Sequence, residues 1–124
     1  LLLGASAAQI GSGLLRSPEA GTDPLWAAAL GATRPEDTML TRAFSGRAGR
    51  SVATTYAEAA ARGPAPAPYP VQRGLTAGMK AAAKEARDLQ RMQAWAGQAA
   101  WLGRAEPADV AVRRIWDEAS ALLG

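Results

Sequence analysis

Large apolar side chains are scarce in this sequence, and alanine takes many of the positions that they would otherwise occupy. The 124 residues include 13 Leu, 4 Val, 2 Ile and 1 Phe, whereas alanine makes up about a quarter of the chain. Alanine favours helices but buries little surface, so it adds little to a core. We therefore expect at most one domain, without a self-sufficient core of its own.

Several classes of chemistry are excluded by residue types that the sequence lacks. The chain contains neither cysteine nor histidine. Thiol nucleophiles, disulfides, Cys/His zinc sites and imidazole acid–base catalysis are therefore excluded within it, and we predict no catalytic residue and no metal site. The net charge is only +3, with acids and bases interleaved, so we expect no nucleic-acid partner. No apolar run approaches the roughly 18–20 residues that span a bilayer, so we expect a soluble, cytoplasmic protein with no membrane partner.

The first 15 residues predict a different structure from the rest of the chain. An apolar run at Leu1–Leu3 and the glycines of residues 11–13 are typical of a short buried strand that opens into a turn. A lone strand leaves its backbone groups unpaired, so we expect its neighbours in an upstream part of a longer chain. Residues 16–124 predict a mostly helical extension of the same domain, crossed by an extended linker at 63–70, GPAPAPYP.

Caps and breakers divide the extension into shorter elements. Asp23-Pro24 predicts a short helix that ends near Gly31, and residues 38–44 predict an extended segment. Ser51 is a candidate cap for a helix through about Ala61.

The second half of the extension predicts amphipathic helices. Apolar residues recur at steps of three and four over 75–89 and again over 92–102. A last helix begins at Pro107, with the pairs Arg113/Asp117 and Arg114/Glu118 on its polar side. Its predicted apolar stripe consists of Val112, Ile115, Trp116, Ala119, Leu122 and Leu123.

A short motif near the start of the chain is a candidate phosphate-binding turn. Residues 9–12 read Gln-Ile-Gly-Ser after the predicted strand. Glycine lets backbone N–H groups approach a phosphate, and the Ser12 hydroxyl adds a further donor. Taken alone, a match this short is more often a plain tight turn than a phosphate site.

Four segments, in order along the chain, carry a resemblance to a known family. Residues 3–5 together with 8–12 resemble the pattern L-G-A-x-x-V-Q-x-G-T, and residues 37–50 are similar to T-R-x-x-S-G-R-x-A-R. Tyr-Pro-Val-Gln at 69–72 and Trp-Ala-Gly-Gln at 95–98 are the other two. Together they resemble the C-terminal part of the nitronate monooxygenases, also called 2-nitropropane dioxygenases.

The resemblance implies a fold, a cofactor and a set of site residues. The fold would be α/β: the C-terminal fragment of a TIM-type (β/α)8 barrel, with its last strand at residues 1–15 and a mainly α-helical extension at 16–124. The cofactor would be FMN. Its phosphate end would be held by Gln9, Ile10, Gly11 and Ser12, and the flavin pocket would include Trp95, Gly97 and Gln98. For Trp95 and Gly97, a helix core position followed by a helix break is an equally good interpretation.

The resemblance also implies a reaction and its partners. Such enzymes oxidise an alkyl nitronate with O2 through the flavin and release a carbonyl compound and nitrite. The family's catalytic histidine and most flavin contacts lie upstream, so we expect these 124 residues alone to be inactive. Ser12 replaces the usual Thr and keeps the hydroxyl, whereas Ala99 replaces a common Gly.

Two other functions remain open at this point. One is a related flavin-dependent enoyl or quinone reductase, since fold does not settle the substrate. The other is a free-standing Ala-rich helical protein that binds a partner through Trp26, Trp95, Trp101 and Trp116.

The basic stretch around residues 42–50 is a weaker candidate for phosphate binding. It lacks the spacing and the lysine of a P-loop. We expect Arg42, Arg47 and Arg50 to fix the extension to the barrel through hydrogen bonds to carbonyls and carboxylates rather than to bind a ligand.

Overall fold

The computed structural model describes residues 3–123, which form an α/β unit dominated by helices. Short 3₁₀ turns separate the longer elements, the first of them at Ser12–Leu14 and the last at Ala100–Leu102. In chain order the helices and strands are α1 (Pro24–Ala32), β1 (Thr38–Thr41), β2 (Gly49–Val52), α2 (Thr55–Ala61), α3 (Val71–Leu75), α4 (Ala77–Glu85) and α5 (Ala108–Leu123).

The start of the chain does not form the predicted strand within the described residues. Residues 7–10 have no regular secondary structure, and Ser12–Leu14 is a 3₁₀ turn; Leu1 and Leu2 lie outside the described residues. A strand exists only through hydrogen bonds to a neighbour, and no described strand lies beside this segment. The predicted turn after it is present, whereas its place as the last strand of a barrel stays a prediction.

An antiparallel hairpin forms the middle of the molecule. β1 pairs with β2 so that Thr38 lies opposite Val52 and Thr41 opposite Gly49, which confirms the predicted extended segment for residues 38–41, whereas residues 43 and 44 lie in the turn that follows. The helix predicted from Ser51 starts too early, because Ser51 belongs to β2 and pairs with Met39 of β1. Thr54 caps α2 instead: its hydroxyl oxygen accepts from the N–H of Ala57 at 3.3 Å.

The helix predicted over residues 92–102 is also wrong. Residues 93–97 run extended beside β2, where Val52 N–H donates to the Ala94 carbonyl at 2.9 Å and Ala96 N–H donates to the Arg50 carbonyl at 3.0 Å. Residues 100–102 form a 3₁₀ turn. The preceding helix, α4, ends at Glu85 because Arg87 takes a left-handed conformation (φ 52°). The three- and four-residue spacing of apolar side chains continues past this point, so spacing alone did not reveal the break.

A small aromatic core lies against the hairpin. Phe44 is fully buried, and its ring centroid lies 5.2 Å from that of Tyr56 and 6.0 Å from that of Trp95. A Cβ on Gly49 would come within 2.7 Å of the Trp95 ring, so this ring packs directly on the β2 backbone. Phe44 and Leu30 are the largest fully buried side chains among the described residues, and alanines fill most of the remaining core positions.

The proline-spaced linker crosses close over the turn after β1. Gly46 has φ +86°, and a Cβ there would lie 2.5 Å from the Tyr69 nitrogen and 2.6 Å from the Ala67 oxygen. Gln72 joins both sides: its Nε2 donates to the Ala43 carbonyl at 2.6 Å, and its Oε1 accepts from Ala67 N–H at 3.0 Å. The linker is thereby fixed to the hairpin turn at Ala67–Tyr69.

The predicted last helix is confirmed as α5, but its apolar stripe lies largely open. Val112 is 55% exposed and Trp116 69% exposed. Arg113 pairs with Asp109 at 3.4 Å rather than with Asp117. Within residues 3–123, no helix has both the length and the apolar character needed to cross a bilayer.

Candidate functional site

The predicted phosphate-binding turn and the predicted pocket segment line the same cleft. This open cleft has a volume of about 450 Å³, and α5 forms its opposite wall. Two of its sides come from parts of the sequence about 85 residues apart. Six of the seven predicted site residues line it: Gln9, Ile10, Gly11, Ser12, Gly97 and Gln98.

A hydrogen bond from Gly97 to Ser12 joins the two segments. Gly97 N–H donates to Ser12 Oγ at 2.8 Å, across a separation of 85 residues. A Cβ on Gly97 would lie 3.3 Å from the same oxygen, so this close approach favours glycine. Because Ser12 Oγ accepts from Gly97, its own O–H remains able to donate into the cleft.

The backbone of the turn that lines the cleft also has N–H groups without an acceptor in the described part of the chain. Leu14 N–H and Leu15 N–H close the 3₁₀ turn on the carbonyls of Gly11 and Ser12, at 3.1 and 3.3 Å. Among the described residues, no hydrogen bond takes the N–H of Ser12 or of Gly13. Such a pair of free amides beside a hydroxyl suits an anionic oxygen.

Trp95 is the predicted pocket residue that does not line this cleft. Its ring packs against Phe44 and over Gly49, and its backbone forms a bridge with Ser51 of β2. Its carbonyl oxygen accepts from Trp26 Nε1 at 3.1 Å, which ties α1 to the extended segment. The geometry thus matches the alternative of a core position, although in an extended segment instead of a helix.

The opposite wall of the cleft carries one residue whose role the sequence did not indicate. Arg114 of α5 lines the cleft, and its side chain is only 22% exposed. Its guanidinium donates to Glu106 through Nε at 3.0 Å and through Nη2 at 2.7 Å. These hydrogen bonds raise the pKa of Arg114, so the side chain stays charged. The sequence predicted its pairing with Glu118, which is present at 3.4 Å, but no local spacing connects Arg114 with residues 9–12.

The arginines of residues 42–50 make structural contacts within the hairpin and with the linker, and their predicted attachment of the extension to a barrel stays a prediction. Arg42 Nη1 donates to the Gly46 carbonyl at 3.1 Å, and Arg50 Nη1 donates to Thr38 Oγ1 at 3.0 Å. The Arg47 guanidinium lies 4.1 Å from the centre of the Tyr69 ring. None of the three lines the cleft.

Comparison with known proteins places these features in a family. The family model described as nitronate monooxygenase matches residues 1–117. A nitronate monooxygenase from Paraburkholderia phytofirmans is 37% identical over 117 residues, which cover 93% of this chain and 32% of the relative. A probable nitronate monooxygenase from Staphylococcus aureus (strain Newman) is 27% identical over 124 residues, covering 99% of this chain and 35% of the relative.

A solved structure is similar to this chain in fold as well as in sequence. The nitroalkane oxidase from Streptomyces ansochromogenes superposes with a TM-score of 0.83 at 38% sequence identity. The match covers 99% of this chain and 36% of that protein, so the chain spans about a third of the length of these relatives. The chain belongs to the nitronate monooxygenase family.

Proposed function

We propose that this chain is the cofactor-phosphate-binding portion of an FMN-dependent nitronate monooxygenase of the TIM-barrel type. The whole protein oxidises an alkyl nitronate with O2 and releases a carbonyl compound and nitrite. The observation that carries the proposal is the cleft in which residues 9–12 meet Gly97 and Gln98, since the family resemblance implied these segments separately. The relatives' names, nitronate monooxygenase and nitroalkane oxidase, support the same class of substrate.

The residues of the cleft fit the phosphate end of FMN. The free N–H groups of Ser12 and Gly13 and the Ser12 hydroxyl provide neutral donors on one side. A phosphate monoester has several acceptor oxygens and binds well to such convergent donors. FMN supplies the redox chemistry when bound, and this chain's residues hold and orient its phosphate end.

The described part of the chain does not enclose a flavin ring. The cleft is open on one side, and the chain contains no histidine that could act as a base. Flavin oxidation chemistry needs a site that excludes water. We therefore propose that the reacting groups belong to the part of the family fold that these 124 residues do not include, and that the 124 residues alone are inactive.

A chimeric enzyme tests this proposal. The 124 residues replace the matched third of the Paraburkholderia phytofirmans relative, and the purified protein is assayed for bound flavin and for nitronate-dependent O2 consumption with nitrite release. We expect a yellow protein that retains FMN and is active, whereas the 124-residue chain alone binds no FMN. A folded chimera that retains no flavin, or that retains it and does not oxidise nitronates, contradicts the proposal.

A substitution in the turn locates the phosphate within the chimera. Ser12→Ala removes the hydroxyl, together with the acceptor for Gly97 N–H, and leaves the backbone amides of the turn. We therefore expect FMN binding to weaken about tenfold or more. Ser12→Thr restores the hydroxyl and the family's usual residue, and we expect it to bind FMN as well as the starting protein. Equal affinity of the Ala and Thr variants would place the phosphate elsewhere.

A further inference from the structure

Arg114 is the only charged residue among the described residues that line the cleft. The donors on the opposite side, at residues 11–13, are neutral backbone and hydroxyl groups. A phosphate monoester carries about 1.5 to 2 negative charges at neutral pH. A site that holds such a group inside a protein gains strongly from a full positive charge, and in this chain Arg114 can supply it.

The guanidinium is held firmly on one edge and loosely on the other. Glu106 accepts at 3.0 and 2.7 Å, and this carboxylate is only 17% exposed. Glu118 is 58% exposed, and both of its oxygens lie 3.4 Å from Nη1, which is long for a charge-assisted hydrogen bond. The Glu118 contact is therefore the one that a ligand can replace at low cost.

We propose that Arg114 binds the phosphate of the cofactor through its outer edge, with Glu106 fixing the guanidinium and Glu118 giving up its contact when the phosphate enters. This inference rests on the proposed function, because it takes the cleft as the phosphate site. The charges support the exchange: with both glutamates paired to Arg114 the group carries a net charge of −1, so an entering phosphate is repelled by both carboxylates. Glu118 is the more exposed of the two and is therefore the one that can move into solvent.

With Arg114 as a phosphate ligand, α5 would take part in cofactor binding as well as in packing. Most of its apolar stripe lies open, so within the described residues the helix is attached partly through polar contacts, including the N–H of Ala108 to Glu19 at 3.2 Å. A phosphate bound between residues 11–13 and Arg114 would tie α5 to the turn. Cofactor binding would then stabilise the end of the chain as well as the turn itself.

Riboflavin separates a phosphate contact from a general effect on the pocket, because it has the ring and side chain of FMN but no phosphate. Dissociation constants for FMN and riboflavin are measured by flavin fluorescence for the chimera described above and for three variants. Arg114→Gln should weaken FMN binding about tenfold or more while riboflavin binding changes less than about twofold. Glu118→Gln should tighten FMN binding several-fold, because it removes the competing carboxylate.

Arg113→Gln serves as the matched control. Arg113 neighbours Arg114 on the same helix and is well exposed, and its one ion pair within residues 3–123 is with Asp109, so we expect neither flavin to respond. Because Glu118 is exposed, its substitution tests the proposal even where Arg114→Gln impairs folding.

The outcomes separate this inference from the function on which it rests. A chimera that binds FMN no better than riboflavin has no phosphate site in this cleft, and both proposals fail. A clear preference for FMN that Arg114→Gln leaves unchanged overturns only the role of Arg114. Equal weakening of both flavins by Arg114→Gln, or no change of FMN affinity in Glu118→Gln, also overturns it and assigns Arg114 to the support of α5.

Discussion

Large apolar side chains pack together in the hairpin region, which is the β1–β2 hairpin with the residues packed on it. They are largely exposed on the apolar stripe of α5, here called the α5 face. Around the hairpin, Phe44 is fully buried and packs against Tyr56 and Trp95. On α5, Trp116 and Val112 are 69% and 55% exposed. One region completes its core from within the chain, whereas the other presents an apolar surface that the described residues do not cover.

The contrast follows from how each region is connected. The hairpin, the linker and the extended segment after α4 are bonded to one another by hydrogen bonds such as those of Gln72 and of the Ala94 carbonyl. The apolar groove beside α5 is lined on its other side by residues 6–8, 10 and 14, most of which have no regular secondary structure. We conclude that the hairpin region determines the stability of this chain, and that the α5 side contributes little until another surface packs on it.

Phe44→Ala tests the hairpin core and should have the largest effect. Removing a fully buried phenyl ring leaves a cavity beside Trp95, and such changes cost about 3–5 kcal/mol of unfolding free energy. The measurement is urea unfolding followed by circular dichroism. Leu75→Ala, at a helical position that is 71% exposed, is the control and should change stability by less than about 1 kcal/mol.

Gly46→Ala tests the closure of the linker over the hairpin. The new Cβ would meet backbone atoms of Ala67 and Tyr69 at a position with φ +86°, so we expect a loss of about 2–3 kcal/mol. Gly74→Ala, in α3 with no atom within 4 Å of its Cβ, should be neutral or stabilising in the same unfolding assay. Equal effects of the two changes would show that the linker does not close on Gly46.

Trp26→Phe tests the attachment of α1 to the extended segment. The ring stays apolar, but the N–H that donates to the Trp95 carbonyl is lost, which should cost about 1 kcal/mol. Chemical denaturation measures the difference. Trp101→Phe is the control, since its side chain is more exposed and no hydrogen bond of its indole is present among the described contacts; a cost equal to that of Trp26→Phe would contradict the assigned bond.

Trp116→Ala should have the smallest effect in this chain and a larger one in the chimera. The side chain is 69% exposed, so we expect a change within about 0.5 kcal/mol for the 124 residues alone. In the chimera, packing on the α5 face would raise the cost to about 2 kcal/mol or more. Thermal unfolding of both proteins gives the comparison, and equal small effects would show that the α5 face stays uncovered.

The sequence predicted the features that are set locally. The α5 boundaries follow from Pro107 and the apolar spacing, and the extended segment at β1 follows from its composition. The start of α2 was misplaced because Ser51 and Thr54 are both good caps, and only the pairing of Ser51 within the sheet decides between them. The helix predicted over 92–102 failed for a similar reason: hydrogen bonds to β2 outweigh a helical spacing of apolar residues.

For the candidate site, the resemblance named the residues but not their arrangement. The contact between Ser12 and Gly97 joins positions 85 residues apart, and no local pattern encodes such a distance. Arg114 was recognised only as a member of an i, i+4 pair, because its place on the cleft depends on how α5 packs. The residue types could be recognised in the sequence, whereas their positions relative to one another in the folded chain could not be predicted from it.

A crystal structure of the FMN-loaded chimera tests the central claim most directly, through the distances between phosphate oxygens and the cleft. We expect a phosphate oxygen within hydrogen-bond distance, about 3 Å, of Ser12 Oγ and of a backbone N–H in residues 11–13. FMN bound with its phosphate away from this turn would contradict the account, whatever the activity of the enzyme.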